Sequence, residues 1–180
     1  MTKILIVVAL VLMVGLTAFG QTAATSSIKI SVGPEGGVPT GDFNTGYSFG
    51  IGGTASVGYA IDPNFSASLK GGYLSFSGKD VSGFTAPTLS IIPILAGLHY
   101  YFMPPSDMRV YGAAEGGLYI ASVSGGNSSS KFGVAPTLGA EFKAGENMNI
   151  DIHGNYTTVF SDPSSTSWIG FGAGLVFVLQ

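Results

Sequence analysis

The stretch Met148 to Phe160, MNIDIHGNYTTVF, carries the decisive pattern of the chain. Side chains of a strand point alternately to its two faces. Read that way, Met148, Ile150, Ile152, Gly154, Tyr156, Thr158 and Phe160 share one side. The other side carries Asn149, Asp151, His153, Asn155 and Thr157. No helical period of 3.6 sorts these residues as cleanly, so the stretch is a strand with one greasy and one polar face.

The same sorting works outward along the chain. Before it, Phe132, Val134, Pro136, Leu138, Ala140 and Phe142 oppose Lys131, Gly133, Ala135, Thr137, Gly139, Glu141 and Lys143. Val110, Leu118 and Ile120 oppose Arg109, Tyr111, Glu115 and Tyr119. Nearer the start, Tyr47, Phe49, Ile51, Val57 and Tyr59 oppose Ser48, Gly50, Gly52, Thr54, Ser56 and Gly58. Ile28, Ile30 and Val32 oppose Lys29, Ser31 and Glu35, and Phe65, Leu69 and Tyr73 oppose Ser66, Ser68 and Lys70. No charge falls on an apolar face of these strands.

Eight such segments, each long enough to cross a bilayer at a tilt, are expected: Ile28 to Val38, Tyr47 to Ile61, Phe65 to Phe76, Thr88 to Phe102, Arg109 to Ser122, Lys131 to Ala144, Met148 to Phe160 and Trp168 to Leu179. The connections Asp62 to Asn64, Met103 to Met108 and Gly145 to Asn147 are short, with Pro63, Pro104, Pro105 and Gly145 as turn formers. Pro39 to Gly46, Ser77 to Pro87, Val123 to Ser130 and Ser161 to Ser167 are longer and rich in Gly, Ser, Asp and Thr. Short turns at one rim and longer loops at the other describe an eight-stranded antiparallel up-and-down transmembrane β-barrel, with turns and termini facing the periplasm.

Composition points the same way. Charged residues make up 9% of the 180, against about 25% in an ordinary soluble domain. Mean hydropathy is +0.44. After the first twenty residues no apolar run reaches the roughly 20 needed for a membrane helix. A closed barrel is the other way to satisfy a backbone in lipid. Met1 to Gly20 reads as a signal peptide: Lys3 precedes the apolar run Ile4 to Ala18, and Ala18 and Gly20 offer a cleavage site before Gln21. Residues 21–180 are then the barrel domain. With no cysteine, disulfides, thiolate metal sites and a lipoprotein anchor are ruled out.

The polar faces become the lumen. They bring Lys29, Lys70, Arg109 and Lys143 together with Glu35, Glu115, Glu141 and Asp151. Buried charges persist when paired and hydrogen-bonded, so this charge-balanced network reads as a plug rather than a solute path. Tyr101, Tyr111, Tyr119 and His99 add bulk where Gly50, Gly52, Gly170, Gly172 and Gly174 leave room. Tyr47, Tyr59, Tyr73, Tyr100, Phe102, Phe160 and Phe177 near strand ends would form aromatic girdles. His99 and His153 are the two histidines, with Asp151 beside His153. Neither has a distinctive serine for a triad or the spacing of a metal site, so no catalytic, cofactor or metal residues are assigned.

Leu98-His99-Tyr100-Tyr101-Phe102 ending the fourth strand, the stretch Tyr111 to Tyr119, Asn149 to Tyr156 and the glycine-alternating last strand resemble the small eight-stranded outer-membrane barrels, OmpA-like and OmpW-like, over essentially the whole mature length. Gln180 stands where those barrels end on an aromatic, and Phe177 lies three residues earlier. The resemblance implies the outer membrane of a Gram-negative-type bacterium, a monomer, and outer-membrane lipids and the barrel-insertion machinery as partners. Nucleic acid is not among them. The expected role is structural, adhesive or that of a narrow channel. The alternatives are a lipid-modifying barrel enzyme and a soluble periplasmic ligand-binding barrel.

Overall fold

The computed structural model describes residues 27–81, 83–103, 106–124, 126, 128–162 and 164–179. The expected signal peptide at Met1 to Gly20, the start at Gln21, the turn formers Pro104 and Pro105, and Gln180 lie outside them. In chain order the elements are β1 (Ile28–Thr40), the single helical turn α1 (Phe43–Gly46), β2 (Tyr47–Ala60), β3 (Phe65–Gly78), β4 (Asp80–Val81), β5 (Phe84–Thr85), β6 (Leu89–Tyr101), β7 (Met108–Val123), β8 (Ser128–Lys143), β9 (Met148–Val159) and β10 (Thr166–Leu179). β4 and β5 form a separate two-stranded hairpin in the loop after β3. The other eight strands close in the order β1-β10-β9-β8-β7-β6-β3-β2, each antiparallel to its neighbours. Closure runs from Ile28 opposite Leu179 to Thr40 opposite Ser167. A closed ring leaves no open edge, which is the condition for a sheet to stand in hydrocarbon.

The alternation anticipated for β8 and β9 is present side chain by side chain. Leu138, Ile150 and Ile152 are 62%, 41% and 54% exposed on the outside, whereas Glu141 and Asp151 are 6% exposed within. Val32, Phe49, Ile51, Tyr73, Leu98, Leu118, Phe132, Ile169 and Phe171 extend the apolar outer surface around the ring. That surface fits lipid and is wrong for a barrel bathed in water.

Three strand prolines interrupt the ladder on one side each. The β1–β10 register skips Gly33 and Pro34, β3–β6 skips Pro93, and β8–β9 skips Ala135 and Pro136. A proline has no N–H to donate. On their other sides the same residues stay in register, Pro34 with Gly53, Pro93 with Tyr119 and Pro136 with Ala114.

The structure corrects several expectations. β7 and β8 run on until only residues 124–127 connect them, shortening the loop expected over Val123 to Ser130. Tyr47 does not join a girdle: the β2–β3 register shifts between Tyr47 and Gly50, and Tyr47 packs against the barrel interior. A bulge adds a residue to one strand and re-aims the side chain next to it. Tyr73, Tyr100, Phe102, Phe160 and Phe177 are exposed on the outside.

Candidate functional site in the barrel lumen

The lumen is built in two unlike halves. Toward the loop rim, Phe43, Leu74, Phe76, Ile91, Leu95, Tyr119, Val159 and Trp168 pack into one buried apolar cluster. Phe76 is 0% and Trp168 1% exposed. Trp168, the one tryptophan of the chain, lies 5.6 Å from Phe76 and 5.7 Å from Tyr119, ring centre to ring centre. Phe43 comes from α1, which folds over the mouth and sets this ring 5.1 Å from Phe76. Glycines make the room: a Cβ at Gly50 would stand 2.5 Å from the Phe76 ring, and one at Gly133 would stand 2.8 Å from that of Tyr119.

Toward the turn rim the lumen is polar. Lys29 Nζ donates to Glu141 Oε2 at 2.6 Å and to Oε1 at 2.9 Å. Tyr101 OH donates to Glu141 Oε1 at 2.6 Å, and Asn149 Nδ2 reaches Oε2 at 3.2 Å. One layer deeper, Asp151 accepts Tyr111 OH at 2.9 Å and meets His153 Nδ1 at 2.6 Å. Deeper still, Lys70 Nζ donates to Glu115 Oε2 at 2.8 Å. Glu35 sits under the plug, taking Asn155 Nδ2 on Oε1 at 3.1 Å and leaving Oε2 buried with no partner among the described residues.

Of the eight residues expected in the lumen network, six are brought together: Lys29, Glu35, Lys70, Glu115, Glu141 and Asp151 line the interior. Arg109 stands at the turn rim instead. Its guanidinium lies 3.9 Å from the centre of the Tyr101 ring, and Nη2 donates to the carbonyl of Pro63. Lys143 is a correction. As the last residue of β8, paired with Asn149 at the turn rim, it is exposed beside the 144–147 turn. Among the described residues the interior therefore holds four carboxylates against the ammonium groups of Lys29 and Lys70, with the Arg109 guanidinium stacked on Tyr101 at its turn-rim end.

A cavity of about 70 Å3 opens between the charged layers, lined by Ser31, Ser56, Ser66, Ser68, His99, Tyr101 and the charged groups around them. It shares Lys29, Ser66 and Tyr101 with a recess of about 170 Å3 at the turn rim, bordered by Asp62, Pro63 and Arg109. Ser68 Oγ lies 2.9 Å from His99 Nε2. Glu115 Oε1 lies 3.9 Å from that same nitrogen, whereas a catalytic triad uses the opposite ring nitrogen for its carboxylate. No three His, Asp or Glu side chains among the described residues stand close enough to hold a metal ion.

Sequence reasoning expected a plug of paired charges and missed the aromatic one. The signal was available: Leu74 and Phe76 share the parity of inward Lys70, and Trp168 shares that of inward Gly170 and Gly172.

An eight-stranded up-and-down barrel, apolar outside and charged within, defines a membrane-spanning barrel protein of the outer-membrane class. The sequence belongs to the outer membrane protein beta-barrel domain family, which it matches over residues 6–177. No curated protein matches it. Among solved structures the fold is similar to that of Neisserial surface protein A (NspA), at 19% identity and a TM-score of 0.65, covering 87% of this chain and 99% of that one. It is also similar to OprG from Pseudomonas aeruginosa, at 12% identity and a TM-score of 0.63, covering 87% and 97%. Ail, the attachment invasion locus protein of Yersinia pestis, was solved with the heparin analogue sucrose octasulfate; it shares 19% identity and a TM-score of 0.54, with 86% and 100% covered.

Proposed function

We propose that this barrel is a closed, non-enzymatic outer-membrane protein with a structural and adhesive role, its lumen sealed and its loop rim making the contacts. The observation that carries this reading is the plug: Phe76 and Trp168 lie fully buried across the lumen, with Phe43 packed on both. An eight-stranded barrel is only just wide enough for side chains to fill, and here large aromatic ones fill it. The Lys29–Glu141 and Lys70–Glu115 pairs below cross-link strands that are not neighbours in the ring. On this reading the chain works as a monomer, reaches the periplasm by its signal peptide, and has outer-membrane lipids and the insertion machinery as partners.

The loop rim sets the kind of contact. It carries Asp42, Asp80 and Asp162 against Lys79 and Lys131, and Lys79 is engaged with Asn44. This mixed, hydroxyl-rich rim favours a neutral hydrogen-bonding partner over the sulfated polyanion seen with Ail. Catalysis on lipid is disfavoured because Ser68 and His99 face the lumen, where acyl chains on the outer wall do not reach them.

Planar-bilayer recording of the purified, folded chain tests the seal. Silence is expected, and steady unit conductance would overturn it in favour of a channel. For the enzymatic alternative, Ser68→Ala, His153→Ala and Asp151→Asn are assayed for lipid hydrolysis and acyl transfer. A wild-type activity lost in any of them would overturn the non-enzymatic role.

A further inference from the structure

The two halves of the lumen differ in charge as well as polarity. Among the described residues Glu35, Glu115, Glu141 and Asp151 stand with Lys29 and Lys70 inside and Arg109 on the Tyr101 ring at the turn-rim end, which leaves a net negative interior when the histidines are neutral. At the turn rim, Asp62 and Arg109 border the outer recess, Asp62 held by the backbone of Asn64 and Phe65 and Arg109 by the Pro63 carbonyl and the Tyr101 ring. The chamber of about 70 Å3 is continuous in its lining with this recess of about 170 Å3 through Lys29, Ser66 and Tyr101. Toward the loop rim it reaches Thr54, Lys70 and Glu115, which it shares with a smaller cavity of about 10 Å3 lined by Leu74, Tyr119 and Trp168, among the most buried side chains of the protein.

From this we infer that the lumen is a one-sided chamber that admits water and small cations from the turn rim, and that the aromatic plug, not the ion pairs, is the gate of a latent cation-selective path. The inference rests on the sealed-barrel reading and extends it. A low-dielectric wall focuses the field of fixed charges, so an excess of negative charge raises the local concentration of cations and lowers that of anions. The Lys29–Glu141 pair does not close the chamber by itself, because both side chains line a cavity that water-sized species already fit. Phe76 and Trp168 instead pack on each other and on Phe43 of α1, ring centre to ring centre at 5.6, 5.1 and 6.2 Å.

The double variant Phe76→Ala/Trp168→Ala removes the gate and leaves every charge in place. Folded into liposomes, checked by its heat-modifiable gel mobility, and recorded in planar bilayers at pH 8 under a KCl gradient, it should conduct, with a reversal potential on the potassium side. A folded but silent double variant, or one reversing on the chloride side, overturns the inference. Conductance of the wild type would instead overturn the sealed-barrel reading, so the two failures are distinguishable. If the double variant does not fold, Ser56→Cys decides, because the chain has no other cysteine and Ser56 lines the chamber. In liposomes with the loops facing the bath, a small cationic thiol reagent trapped inside should modify Cys while the same reagent in the bath does not. Equal labelling from both sides, or labelling from the bath alone, overturns the one-sided chamber.

Discussion

Lys70 and Glu115 show how a charge survives inside this barrel. Their side chains are 11% and 3% exposed and 2.8 Å apart, so each depends on the other far more than on bulk water. Removing one partner of a buried pair leaves an uncompensated charge and costs about 3 to 5 kcal/mol, whereas replacing both by apolar groups of similar volume is often neutral. Lys70→Met should therefore lower the urea midpoint of the folded barrel strongly, and Lys70→Met/Glu115→Leu should recover most of the loss. Lys143→Met at the exposed end of β8 should stay within about 0.5 kcal/mol of wild type, as surface changes do; a loss as large as that of Lys70→Met would mean Lys143 joins the network. Glycines supply a second contrast. A Cβ at Gly117 would stand 2.2 Å from the carbonyl oxygen of Ile94, whereas one at Gly116 meets nothing nearer than 3.6 Å. Backbone cannot swing aside as a side chain can, so Gly117→Ala should cost about 1 to 3 kcal/mol and Gly116→Ala very little, read from the same unfolding curves.

At the level of the strand, what the sequence reveals depends on whether the two faces differ in polarity. β8 and β9 alternate greasy with polar, and their faces were assignable residue by residue, Leu138 outward and Glu141 inward among them. Replacing Leu138 with lysine puts a charge on the lipid wall at a cost of about 2 to 4 kcal/mol near the bilayer midplane. Leu138→Lys should thus lose folding yield in vesicles while remaining soluble in urea, and normal folding would place that wall elsewhere than in lipid. β6 gives no such contrast. Ser90 to Leu95 reads SIIPIL, greasy on both sides, because its inner face at this height packs the plug through Ile91 and Leu95 while Ile94 meets lipid. Alternation distinguishes a polar interior from an apolar exterior, but two apolar environments look the same. For that reason polarity alone did not mark the aromatic plug, and only the parity of Leu74, Phe76 and Trp168 with their inward neighbours carried it. The bulge that turns Tyr47 inward and the turn α1 that delivers Phe43 were hidden for another: both depend on contacts between segments far apart in the chain.

The whole molecule is polarised along its axis, and this fixes how it should sit in the membrane. The dry cluster lies under the loops at residues 41–46, 79–88, 124–127 and 160–165, and the charged chamber lies over the turns at 61–64, 102–107 and 144–147. A barrel inserts with its short turns toward the periplasm, so the aromatic half should face the exterior and the chamber should drain inward. Loop tips and turns both tolerate inserted sequence where their backbone is exposed, which makes the orientation measurable. An epitope placed after Gly126 should be stained by antibody and cut by protease on intact cells. The same epitope after Gly145 should become accessible only once the outer membrane is breached. The reverse pattern would turn the barrel over and put the plug on the periplasmic side, and with it the entrance of the chamber would open to the medium. Accessibility of both sites on intact cells would mean that the ring of apolar side chains does not hold these two rims on opposite sides of a bilayer.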